Sequence, residues 1–151
     1  MSKGTWLQAL GKGAQMAGTY LEGMAIVNSM MDEADLINMS AADYDLQAQH
    51  AKKATSHNDR LIRLAGLEAE GRIVNQAGKA GLAVSGTMLD RVKATAQKVE
   101  LEAIKQKEEG IHAYNRYTRA GHMARQKASD LQAQASKTKT ATIWKTVASI
   151  F

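Results

Sequence analysis

The sequence predicts an all-α fold built on a long antiparallel helical hairpin, and three observations carry that expectation. There is no proline in 151 residues, so no position inside a helix loses its backbone donor. Ala, Gln, Lys, Glu, Leu and Met are abundant, and these are strong helix formers. One Ser-Gly-Thr interruption, within "AVSGTMLDRV" at residues 83–92, falls just past the middle of the chain and is followed at once by helix-starting chemistry.

The composition also argues against a compact globule. The hydrophobic fraction of 44% is swollen by alanine, and the chain has a single phenylalanine, Phe151. Alanine buries little area, and apolar burial stabilises by only about 25 cal/mol per Å². Long thin helices that complete their burial against copies of themselves fit this composition. With no cysteine, disulfides and thiolate metal sites are excluded.

The first element, residues 1–31, is an apolar segment dense in glycine and methionine. "TWLQALGKGAQMAGTYLEGMAIVNSMM" carries only Lys12 and Glu22 as charges. Gly11, Gly13, Gly18 and Gly23 would permit close backbone approach. Two readings stand side by side: a segment that enters membranes conditionally, with Trp6 and Leu7 as contact residues, or an ordinary buried helix. Lys12 interrupts the would-be apolar region, so no cleavable signal peptide is expected. No run of about 20 apolar residues occurs, and no ordinary transmembrane helix is expected.

Residues 32–136 form the expected hairpin. Asp32, Glu33 and Asp35 crowd what reads as a helix start, where negative charge complements the macrodipole. In the first arm Leu61, Leu64, Leu67, Ile73 and Val74 mark the apolar stripe, and "TSHND" at residues 55–59 suggests a kink or a local break. At the turn, Gly86 reads as the left-handed residue closing the first arm. Thr87 and Asp90 resemble a capping box opening the second. The turn is therefore assigned to Ser85, Gly86, Thr87 and Asp90. In the second arm Leu89, Val92, Ala96, Val99 and Ala103 follow coiled-coil spacing. "IKQKEEG" at 104–110 interrupts it, and the stripe resumes in another phase at Tyr114, Tyr117, Gly121, Ala124, Ala128, Leu131 and Ala135.

Residues 137–151 read as a basic spacer followed by an amphipathic tail. Ile143, Trp144, Val147, Ile150 and Phe151 share one helical face. Trp144 and Phe151 would serve an interfacial membrane anchor or a peptide docking into a partner groove.

Charge is distributed unevenly. From Ile111 onward there are seven basic residues against Asp130 alone, whereas residues 32–110 carry eleven basic and thirteen acidic groups. A basic C-terminal quarter suits a polyanionic neighbour, nucleic acid or an anionic membrane, or simply forms a solvated face. No catalytic constellation is present. His50, His57, His112 and His122 are scattered with no HExxH pattern, and the neighbouring glutamates pair with lysines of their own helix. A non-enzyme without cofactor or metal is expected.

The run "QAGKAGLAVSGTMLDRV", followed by "VELEAIKQKEEGIHAYNRYTRAGHMAR", resembles the small internal virion proteins, or ejection proteins, of short-tailed bacteriophages. Their pattern is an Ala/Gln-rich helix, a central "SGS-x-LD", and a Glu-containing helix closing on "N-Y-x-x-x-A-x-x-A-R". The similarity spans Asp43 to Gln126, with Thr87 in place of a serine and Tyr114 at a tryptophan-like position. The resemblance implies packaging inside the capsid near the portal, release with the genome, and help in forming a channel for DNA across the host envelope, the smallest member at the outer membrane. On that reading the chain would assemble as a homo-oligomeric ring, with other ejection, portal or tail proteins as partners. Arg116, Arg119, Arg125 and Lys127 are candidates for sequence-independent contact with genomic DNA. Two alternatives remain from the residues: a portal- or tail-associated adaptor that stays in the particle, and a non-specific DNA-binding helical protein.

Overall fold

The computed structural model describes residues 3–81 and 86–148, with side chains described from Met16 onward. They form two long helices, α1 over Lys3–Lys79 and α2 over Thr87–Ala148, with no strand among the described residues. The helices pack antiparallel: Gly66 lies against Val99, and Gly110, further along α2, lies against Thr55, further back along α1. The all-helical hairpin expected from composition is the observed architecture.

Its turn is built differently from the expectation. Ala80 N–H donates to the carbonyls of Gln76 and Ala77, both at 3.1 Å, and Gly81 N–H donates to Gly78 at 3.1 Å. Gly81 then takes a φ of +68°, the left-handed conformation that ends helices. So Gly81, and not Gly86, closes α1. Gly86 also has a positive φ, +58°, but its carbonyl accepts from Asp90 N–H at 3.1 Å. That bond is the first of α2, which makes Gly86 the N-cap residue and Thr87 the first helical residue. Asp90 remains in the first turn, where its charge suits the helix N-terminus. Ser85 lies outside the described residues.

α1 is also continuous where the sequence suggested a new helix start or a local break. α1 runs without interruption through Asp32, Glu33 and Asp35, which are mid-helix and start nothing. It also continues through Thr55–Asp59, and α2 continues through Ile104–Gly110 and on through the basic spacer to Ala148. Helix-weak Ser and Thr residues are accommodated because their hydroxyls bond back to the preceding turn. Thr55 reaches the Ala51 carbonyl at 2.7 Å, Thr118 reaches Tyr114 at 2.9 Å, and Ser136 reaches Gln132 at 3.0 Å.

By internal contacts the chain divides into two compact units, Met1–Asp43 with Ala120–Phe151, and Tyr44–Arg119. In the first, α1 contributes Val27, Ala34 and Ala41 at intervals of seven, all buried. α2 contributes Gly121, Ala128 and Ala135, also seven apart and buried. Gly23 sits so close to Thr142 that a Cβ there would overlap its side chain. In the second unit the seam is formed by Ala48, Gly66, Ala77 and Ala103, with Thr55 and Val99 half-buried. A seven-residue repeat of small residues keeps one narrow stripe facing the partner helix and lets the backbones approach closely.

The interior is correspondingly thin. Val27 and seven alanines are the buried hydrophobic residues among those described, and no large side chain is fully buried. The leucines expected to form the stripe of the first arm lie elsewhere: Leu61, Leu64 and Leu67 are exposed, at 49%, 48% and 64%.

Candidate functional site

Polar chemistry converges at one place within Tyr44–Arg119. Arg63 Nη1 and Nη2 donate to Glu100 Oε2 and Oε1 at 2.8 and 3.2 Å, a two-pronged bridge between the helices. Its Nε donates to the Asp59 carboxylate one turn earlier, at 3.2 and 3.3 Å. The bond to Glu100 first, then Asp59, holds the guanidinium pKa above its ordinary value. Because both partners of the bridge are about half exposed, at 49% and 53%, water and salt screen it.

Beside this bridge lies an open groove of about 480 Å³, where Lys52, Ser56, Lys107, Ile111 and Tyr114 surround the Thr55–Gly110 contact. The groove exists because that contact draws the backbones together while the flanking side chains stand out. Among the described residues no group of three or more His, Asp or Glu side chains could hold a metal, and no buried polar side-chain atom lacks a partner. His50, His57, His112 and His122 are all exposed.

The residues singled out from the sequence are distributed as follows. Arg116, Arg119, Arg125 and Lys127 are exposed on α2. Arg116 and Arg119, three apart, share a face; Arg125 and Lys127, two apart, do not. Lys127 Nζ is 3.9 Å from Glu33, so part of its charge is matched within the chain. Trp144 is 68% exposed, flanked by exposed Ile143 and Val147. Phe151 lies outside the described residues. Trp6 and Leu7 fall in the first turns of α1, and their side chains are also outside the described set. No described helix is long and apolar enough to cross a membrane.

The sequence reading missed the apolar surface facing away from the seam. Besides the three leucines, Val74 on α1 and Leu101, Ile104 and Ile111 on α2 stand exposed in the same unit. The sequence hint is the alanine heptad from Ala34 to Ala48, which lies upstream of the leucines and does not by itself decide their face. Comparison of the chain with known protein families, curated proteins and solved structures finds no match.

Proposed function

We propose that this chain is a structural subunit of a bacteriophage particle, of the internal virion or ejection class. It is packaged near the portal and released with the genome to help line a path for DNA across the host envelope. It acts by assembly and not by catalysis. The observation that carries the reading is the mismatch between the two surfaces of the hairpin. The inner seam buries alanine and glycine, whereas large aliphatic side chains point outward. A chain so arranged stabilises itself by packing against neighbours, as a wall or ring component must. The sequence resemblance to ejection proteins supplies the biological class.

In this reading the exposed cations on α2, Arg116 and Arg119 foremost, face the passing DNA through salt-sensitive phosphate contacts. Trp144 with its apolar neighbours, and the glycine-rich start of α1 with Trp6 and Leu7, engage the outer membrane or companion proteins. The test is to quantify the protein by mass spectrometry in genome-filled particles and in particles emptied by receptor. Presence in the first and loss from the second is expected. Retention in emptied particles would instead favour an adaptor that stays in the particle.

A further inference from the structure

We infer that the open groove beside the Thr55–Gly110 contact binds single-stranded nucleic acid, with one base against Tyr114 and its flanking phosphates at Lys52 and Lys107. The site lies wholly within Tyr44–Arg119. It is distinct from Arg116 and Arg119, and it stands whether or not the chain belongs to a phage particle.

The sequence builds the groove by leaving its floor without a side chain. Lys52, Ser56, Asp59 and Arg63 follow one another at spacings of four, three and four, which keeps them on one face of α1. Lys107, Gly110, Ile111 and Tyr114 do the same on α2. Gly110 lets α2 settle onto Thr55, and a Cβ there would overlap that side chain. The flanking side chains stand on either side of a trough of about 480 Å³, within the roughly 300–1,000 Å³ of small-ligand sites. That is room for one unpaired base with its sugar, whereas the bases of a duplex are stacked out of reach.

The lining of the trough carries a positive balance. Lys52, Arg63 and Lys107 stand against one acid, Asp59. Both Asp59 oxygens are held by Arg63 Nε, at 3.3 and 3.2 Å, so that acid is already matched. Lys52 and Lys107 make no ion pair among the described residues. No Asp or Glu stands three or four residues from either lysine on its own helix, the spacing that would pair them locally. The unmatched charge of the trough is therefore theirs.

The register set by Thr55 opposite Gly110 places these groups along the trough. Tyr114, four residues past Gly110, is level with Ala51, beside Lys52. Lys107, three before Gly110, is level with Asn58, six residues from Lys52 and so about 9 Å along the axis. Two unmatched cations on different helices, that far apart, suit a ligand with repeated negative charge better than a single carboxylate. Tyr114 is 39% exposed and offers a ring face, with exposed Ile111 three residues before it. Ser56 adds a hydroxyl donor for a phosphate oxygen. Alternating phosphates and planar rings are the chemistry of a nucleic-acid strand. A positively charged groove with an aromatic platform holds unpaired strands without sequence preference.

Fluorescence anisotropy of a labelled strand of roughly ten thymidines, titrated with the full-length chain, tests the site. Saturable binding is expected, with log K falling against log salt at about −0.7 per phosphate neutralised. Lys52→Gln and Lys107→Gln should each flatten that slope by about the same amount. Tyr114→Leu should weaken binding by roughly tenfold without changing the slope, and Tyr114→Phe, which keeps the ring, should bind as the wild type does. Circular dichroism checks that every variant keeps its helicity. The comparison is a chain carrying Arg116→Gln and Arg119→Gln. If that chain flattens the slope and the groove variants leave it unchanged, the strand lies on the outer cations and the proposal is overturned. No binding at low salt, or equal affinity for the matched duplex, overturns it as well. Thymidine monophosphate should displace the strand only at far higher concentration; equal potency would make this a free-nucleotide site and overturn the strand assignment.

Discussion

Glycine at residue 110 and glycine at residue 71 have opposite consequences, although both are helical. A Cβ at Gly110 would overlap Thr55, a branched side chain already tied by its hydroxyl to Ala51 and with little room to yield. Gly110→Ala should therefore cost about 1–3 kcal/mol of overpacking, partly offset by about 1 kcal/mol of helix propensity. Urea denaturation monitored by circular dichroism would show the lowered midpoint. Gly71→Ala meets open space and should raise helix stability by about 0.5–1 kcal/mol under conditions where the chain is dissociated. At the turn, Gly86→Val forces a branched residue to a φ of +58° and should destabilise by about 1–2 kcal/mol. These assignments differ in how legible they were. Gly86 stood out as a turn residue in the sequence, but its role as N-cap depends on where α1 stops. That is set by Gly81, a residue the sequence offers among several glycines of equal rank.

At the scale of helices, the alanine heptad is the organising feature. Ala34, Ala41 and Ala48 on α1 bury small side chains at every second turn, and Ala128 and Ala135 do the same on α2. Ala41→Leu should push the helices apart and cost about 1–3 kcal/mol, read as a lower thermal midpoint. An exposed alanine such as Ala42, one residue on, should tolerate the same substitution within about 0.5 kcal/mol. Helix and hairpin were legible because missing proline and a single glycine-marked interruption are local signals. The faces were harder. Leu61, Leu64 and Leu67 obey helical spacing as well as the alanines do, and residue size alone suggests that leucine is the core. The tie is broken by Arg63, which must reach Glu100 across the helix pair, and by the tight Gly66–Val99 approach, a tertiary fact. The helix start expected at 32–35 and the local break at 55–59 did not form for a related reason. Continuous packing of the seam outweighs a few tenths of a kcal/mol of unfavourable propensity per residue.

For the whole molecule, stability and association are linked. A chain that completes its burial against copies should show a thermal midpoint that rises with protein concentration, measurable by calorimetry across a hundredfold dilution series of about that range. None of the functional class was legible from chemistry, because the sequence carries no catalytic motif and no group among the described residues could hold a metal. It rested on the order of motifs around the turn and on an apolar surplus. The close-contact glycines also have a consequence for how the chain finds its native state. Alanine repeated every seven residues is a ruler with identical marks, and sliding one helix by one mark would align alanine with alanine again. The pairs Gly66–Val99 and Gly23–Thr142 remove that ambiguity, each within its own unit. A slip of seven would bring Val99 against Ile73 or Asp59, and Thr142 against Met30 or Met16, where no gap exists to receive them. The glycines thus act as a proofreading code for alignment, and a chain with both replaced by alanine should refold into a mixture of registers.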